Sequence, residues 1–62
     1  MDLYKIQVQA WDKDVEYHNT LMVVAGNIPI ACEKVKDYMT RKHAVIGIEI
    51  ESLELIEKDI LI

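Results

Sequence analysis

From Leu3 to Asp12 the chain alternates between two sides. Tyr4, Ile6, Val8 and Ala10 fall on one, and Lys5, Gln7, Gln9 and Trp11 on the other. A period of two over this length predicts a half-buried strand. Asp12-Lys13-Asp14 follows as a reversal. Aspartate tolerates left-handed dihedrals and hydrogen-bonds its own backbone, so the turn needs no glycine. Val15 to Ala25, rich in β-branched and aromatic residues, reads as a second strand. A two-residue loop at Lys13-Asp14 sets the register. It puts Ala10 opposite Tyr17, Ile6 opposite Leu21 and Tyr4 opposite Val23 on one face. The other face holds Trp11 with Glu16, Gln9 with His18, Gln7 with Thr20 and Lys5 with Met22. Apolar positions stay together on both strands, which supports a hairpin. Asn19 alone falls among the apolar set, where a bulge or a backbone hydrogen bond would accommodate it.

Gly26-Asn27 ends this strand, and Pro29 suits the first turn of a helix, where its missing N–H costs nothing. From there to about Lys42 the spacing becomes helical. Ile28, Ala31, Cys32, Val35, Tyr38 and Met39 share one stripe, with Glu33, Lys34, Lys36, Asp37, Thr40 and Arg41 toward water. Glu33 with Lys36 offers a modest i,i+3 pair. After His43-Ala44 the period returns to two at Ile46, Ile48 and Ile50, then slips so that Leu53 and Leu55 carry the apolar beat. A bulge near Glu51-Ser52 restores one buried face. Glu57-Lys58-Asp59 is a polar break, and Ile60-Leu61-Ile62 predicts a short final strand.

The reading is therefore a single α+β domain over residues 1–62, in the order ββαβ. Three strands form an antiparallel or mixed sheet in the order 2-1-3, with a right-handed crossover and one helix on one face. A fourth short strand is expected at the end.

Length sharpens the picture. Sixty-two residues make one domain, and a core of that size supplies roughly 3–5 kcal/mol. Cys32 is the only cysteine, so an internal disulfide is excluded. Structural zinc takes four ligands, whereas Cys32, His18 and His43 are three and scattered. Hydrophobic residues make up 52% of the chain, more than so small an interior can hide. A homodimer is the expected remedy. The N-terminus alternates instead of carrying an apolar block, so no signal peptide is expected. The longest wholly apolar run, Leu21 to Ala25, is far too short to span a bilayer. A lone unpaired cysteine suits a reducing, cytoplasmic setting.

Net charge is −4 and unevenly spread: −2 over residues 1–27, +2 over 28–43 and −4 over 44–62. An acidic chain repels the phosphate backbone, which disfavours direct nucleic-acid binding. The basic stretch reads first as cations complementing a helix C-terminus.

Candidate chemistry is sparse. His18 and His43 belong to different elements, with no third ligand at metal spacing, so no metal, cofactor or catalytic site is assigned. Cys32, between Ala31 and Val35 on the apolar stripe, reads as a buried structural thiol. Glu49, Glu51 and Glu54, followed by Glu57 and Asp59, alternate with apolar residues as a solvated strand face would. They also form a candidate acidic surface for a basic molecule. One helix covers one sheet face only, so the bare face, with Trp11, His18, Met22 and Val24, is the candidate interface. Both edge strands are open to pairing as well.

The runs Thr20-Leu21-Met22-Val23-Val24-Ala25, Ala31-Cys32-Glu33-Lys34-Val35 and Ile50-Glu51-Ser52-Leu53-Glu54-Leu55-Ile56 resemble small uncharacterised proteins encoded by phages and mobile elements of gut bacteria. The resemblance implies a short ββαβ fold and no assigned activity. The functional expectation is a non-enzymatic interaction module that self-associates through the open sheet face or an edge strand. The alternative is an acidic decoy that binds a basic, nucleic-acid-binding host protein.

Overall fold

The computed structural model describes residues 1–61; Ile62 lies outside the described residues. Strand β1 spans Asp2–Trp11, β2 Glu16–Ala25 and β3 Gly47–Glu57, with helix α1 over Ile28–His43 between the last two. The strands form one antiparallel sheet in the order β2-β1-β3.

The hairpin has the register that the alternation predicts, with Ala10 opposite Tyr17, Ile6 opposite Leu21 and Tyr4 opposite Val23. Its turn is built by Asp12. The Asp12 carboxylate accepts from the backbone N–H of Asp14 at 2.9 Å and of Val15 at 2.8 Å. The Asp12 N–H donates to the Val15 carbonyl at 3.0 Å. No left-handed residue is used there, and the Asp12 carboxylate takes up two of the turn's donors.

Strand β3 pairs with β1 through two irregularities. Gln7 faces Ser52 and Val8 faces Ile50, so Glu51 is the extra residue of a bulge. The slip lets Ile48, Ile50, Leu53 and Leu55 all share the side of Ala10, Val8, Ile6 and Tyr4. A second bulge places Ile56 between the Tyr4–Leu55 and Leu3–Glu57 pairs. Nothing in the apolar beat foretells it.

Helix α1 starts at an asparagine cap. Asn27 Oδ1 accepts the Ile30 N–H at 3.0 Å, with Pro29 in the first turn. Arg41, Lys42 and His43 occupy the last turn, where cations meet the negative end of the dipole. The ion pair on its surface is Asp37–Arg41 at 2.8 Å, an i,i+4 pair, in place of the expected Glu33–Lys36. The buried stripe is narrower than the spacing predicts. Ala31, Val35 and Met39 are buried, Cys32 is only half-buried, and Ile28 and Tyr38 are exposed. The helix packs mainly over β2 and only lightly on β3, so the residues flanking its central line find no sheet beneath them.

The core is built on β1, the central strand. Tyr4, Ile6, Val8 and Ala10 are buried with Ala25, Ala31, Val35 and Met39. Tyr17, Leu21, Val23, Val45, Ile48, Ile50 and Leu53 pack around them, half-exposed. Asn19 is half-exposed at the rim of β2 beside these residues, so it needs no burial and the pairing there is free of bulges.

The expected fourth strand is absent among the described residues. Asp59 turns through a left-handed φ of 55°, its N–H donates to Asp2 Oδ1 at 3.0 Å, and the Ile60 N–H donates to the Met1 carbonyl at 2.8 Å. The Asp2 carboxylate thus captures the chain after β3. β1 already has a neighbour on each side, so the segment meets no vacant central position.

The helix ends at Ala44, also left-handed at φ 49°, whose N–H donates to the Thr40 carbonyl at 3.1 Å. A Cβ in that region costs about 1 kcal/mol or more, which glycine avoids. Ala44→Gly is expected to raise stability by about 0.5–1 kcal/mol, read as a higher urea midpoint with unchanged slope. An unchanged or lower midpoint would contradict the cap.

Candidate interaction surface

The outer face of the sheet, turned away from α1, carries no covering element among the described residues. Its middle is polar and tied to itself. His18 lies 3.1 Å from Glu16 through Nε2 and 3.4 Å from Glu51 through Nδ1, contacts that become ion pairs when the imidazole is protonated. Gln9 Nε2 donates to Glu16, and Ser52 Oγ donates to Gln7 Oε1 at 2.9 Å. These contacts cross all three strands. The bulge at Glu51 lets its carboxylate reach His18 over the intervening strand.

Trp11 sits at one end of this face, opposite both Glu16 and Gly47. A Cβ built on Gly47 would fall inside the Trp11 indole, so the ring lies directly on the glycine backbone. The indole is 37% exposed, but part of its surface is spent inside the domain. Aromatic cover of a strand glycine is a known device for sheets, and it went unread in the sequence because periodicity sets no register between β3 and β1, which is what brings Gly47 beside Trp11.

Met22 and Val24, the other two apolar candidates, lie toward the opposite end. Val24 pairs with Leu3 and Met22 with Lys5. Helix α1 begins two residues after β2 ends, and β3 ends opposite Leu3. The topology therefore brings Met22, Val24, Leu3, Ile28, Ile30, Leu55 and Ile56 to one end of a molecule 40 Å long and 18 by 15 Å across. Met22 is 56% exposed, Ile28 51%, Leu55 48% and Ile56 45%. The four candidates of the bare face thus divide: Met22 and Val24 join an apolar end, while Trp11 lies at the far end and His18 in the polar middle.

The acidic candidates are exposed along β3. Glu51 turns to His18, whereas Glu49 and Glu54 make no ion pair among the described residues. Glu49 stands opposite Gln9 and Glu54 opposite Lys5 on the outer face.

His43 makes a contact that the sequence did not show, and Cys32 differs from its reading as a buried thiol. His43 is half-buried and stacks on Tyr17, ring centroids 4.1 Å apart at 22°, sealing the junction of α1 and β2. Cys32 is half-buried, on the flank that α1 leaves uncovered. His18 on the outer face and His43 under the helix end are held apart by the sheet, and no group of three His, Cys, Asp or Glu among the described residues is placed to hold a metal. The helix is not long and apolar enough to cross a membrane.

Three titrating groups are shifted by the structure. Backbone N–H donation from Asp59 holds the Asp2 carboxyl below its ordinary value, with the Tyr4 hydroxyl donating at 3.3 Å as a lesser cause. The N–H groups of Asp14 and Val15 do the same to Asp12. Burial pushes the Tyr4 phenol up. A carboxyl lowered in the folded state stabilises above its unfolded pKa, and that contribution is lost as pH falls through the folded value. Acid titration followed by circular dichroism is expected to show stability falling below pH about 4, with a shallower fall in Asp12→Ala. Equal slopes in both proteins would show that the Asp12 cap carries no pH dependence.

Fold and surface together define a small ββαβ domain with a bare sheet face that turns apolar at one end. No protein-family model, curated protein or solved structure matches the chain.

Proposed function

We propose that the chain is a small, non-enzymatic protein-interaction module that self-associates as a homodimer through the apolar end of its sheet. One observation carries this reading. Met22, Ile28, Ile30, Leu55 and Ile56 are all exposed and lie at the same end, while the buried core among the described residues holds eight side chains. Exposed apolar residues scattered singly are ordinary, but five gathered at one end of so small a domain offer a contact surface. A two-fold axis sets the same patch against itself, and an apolar patch is self-complementary without charge conflict. A stable dimer covers about 800 Å² on each partner, near a fifth of the 4326 Å² here. The end alone is too narrow for that, so the contact continues onto the bare face through Leu3, Met22 and Val24. The lone half-buried thiol fits a reducing, cytoplasmic location.

Sedimentation velocity across a wide concentration range tests it. The wild type is expected as a dimer, and Ile56→Glu or Met22→Glu as a monomer with an unchanged circular dichroism spectrum. Neither residue is in the core, so folding is preserved. A wild-type monomer at the highest concentration refutes the reading.

A second reading rests on the unpaired Glu49 and Glu54. Beside Glu51 on an open edge strand they suit a basic partner, such as a nucleic-acid-binding host protein, in keeping with the phage-like sequence pattern. Such binding would weaken steeply with salt. Joint reversal of Glu49, Glu51 and Glu54 to lysine would abolish it, and binding that survives this change removes the decoy role.

A further inference from the structure

Strand β3 is one edge of the sheet, with no strand beyond it among the described residues. The direction of its backbone groups follows from β1. The Trp11 carbonyl accepts the Ile46 N–H at 2.8 Å, so Trp11 is turned toward β3. Residues two apart in a strand direct their backbone groups alike, so Gln9 is turned the same way, toward its partner Glu49. Ile48 and Ile50, on either side of Glu49, therefore direct N–H and C=O groups to the free edge. The opposite edge agrees. Lys34 Nζ donates to the Val24 carbonyl at 2.7 Å, which leaves Val23 to Tyr4 and gives β2 the even-numbered residues of β1.

The two faces beside these free groups differ in chemistry. On the helix side, Ile48 and Ile50 are half-exposed, because α1 lies over β2 and only lightly over β3. On the outer side stand Gly47 and Glu49. Glu49 is exposed and makes no ion pair among the described residues. The Trp11 indole reaches from β1 over Gly47, which brings an aromatic ring onto the edge strand. A carboxylate and an indole two positions apart both suit a guanidinium, the first through paired hydrogen bonds and the second through its ring. Unpaired backbone groups between an apolar row and such a polar row are what an added strand requires.

We propose that the β3 edge binds an extended segment of a partner protein in which arginine and apolar residues alternate, added antiparallel as a fourth strand. The alternation of the segment matches that of β3 itself, so one register makes every contact. Apolar side chains opposite Ile48 and Ile50 widen the apolar layer beside α1, and their backbone groups bond to those two residues. Arginines opposite Gly47 and Glu49 fall on the outer face, against the indole and the carboxylate. Charge excludes a second copy. Its β3 would bring glutamates beside Glu49, and its β2 has no lysine or arginine to offer. Charged residues on an edge ordinarily guard it, and a guard of one sign leaves the edge open to strands of the other. This stretch lies at the Trp11 end of the sheet, away from Met22, Val24 and Ile56, so dimerisation leaves it free. The inference rests on the second reading above, an acidic surface for a basic partner, and gives that surface a mode of binding and a sequence pattern.

The probe is a fluorescein-labelled peptide of about six residues, a typical strand length, alternating arginine and valine. It is titrated into the full chain and read by fluorescence anisotropy, with the oligomeric state followed in parallel. Saturable binding is expected, together with a change in the emission of Trp11, the only tryptophan. A peptide of the same composition with its arginines in one block is expected to bind roughly tenfold more weakly, because no register then seats both rows. Glu49→Lys is expected to weaken binding roughly tenfold, because attraction becomes repulsion. Since Glu49 is exposed, this variant keeps its fold, checked by circular dichroism. N-methylation separates strand addition from plain charge attraction. On the valines it removes the donors that face β3 and is expected to abolish binding, and on the arginines, whose N–H groups face away, to leave it intact. No saturable binding, equal binding of the block peptide, unchanged Trp11 emission at saturation, or equal or reversed effects of the two methylations would each overturn the proposal. The acidic-surface reading fails on a different result, binding that survives joint reversal of Glu49, Glu51 and Glu54.

Discussion

Ile6→Ala is expected to leave the chain largely unfolded at 25 °C. Ile6 is wholly buried on the central strand, between Leu21 on β2 and Leu53 on β3. Removing a buried isoleucine to alanine costs about 2–5 kcal/mol, from lost transfer energy and the cavity left behind. A core in a domain this small supplies roughly 3–5 kcal/mol in total. The two figures are of one size, so a single truncation removes most of the margin. Neighbours cannot collapse into the space, because Ile6 has a paired strand on each side and the helix layer above. Urea unfolding at fixed protein concentration checks this, since any dimer adds a concentration-dependent contribution. Ile6→Ala should show little or no native baseline. Met22→Ala, on the exposed face, should shift the stability of the single chain by no more than about 0.5 kcal/mol, read at protein concentrations low enough that it is monomeric. A cooperative transition for Ile6→Ala near the wild-type midpoint would mean that the stability lies elsewhere than in the β1 core.

Periodicity made most of this fold legible. The β1 alternation is unbroken because β1 is central and half of it faces α1, so every second residue had to be apolar. The β2 register followed from the two-residue loop, and the Glu51 bulge from a slip in the apolar beat of β3. Three features escaped. The bulge at Ile56 escaped because Leu55 and Ile56 are both apolar and both exposed, so no burial pattern marks it. The fate of the residues after β3 escaped because it depends on the Asp2 carboxylate, distant in sequence. Burial along α1 was overestimated at Ile28 and Tyr38, because helical spacing tells which side is apolar and not how wide the sheet beneath is. The candidate surface was half legible for the same reason. Which residues lie on the bare face follows from period two. Whether Trp11 is free there depends on what stands beside it on β3, the neighbouring strand but distant along the chain.

Gly47→Val tests that last dependence, and its sign is expected to reverse with the residue at position 11. Gly47 does not have a positive φ, so the backbone itself would accept a side chain. What excludes one is the Trp11 indole lying on its Cα. In the wild type, valine forces the ring off the strand and exposes the face it had covered. Overpacking and lost aromatic cover together cost about 1–3 kcal/mol, a large share of a small domain's stability. In a Trp11→Ala background the space is empty, and valine replaces glycine on an edge strand, where it is favoured by up to about 1 kcal/mol. The same substitution should therefore destabilise one protein and stabilise the other, a coupling that a double-mutant cycle isolates. Trp11 is the only tryptophan, so its emission reports the ring's position directly. Gly47→Val should shift that emission to the red as water reaches the displaced face. An unshifted spectrum with the same destabilisation in both backgrounds would mean that the glycine serves the backbone alone. Trp11 would then be a free anchor on the bare face, and the contact surface would extend along the whole sheet instead of concentrating at the Met22 end.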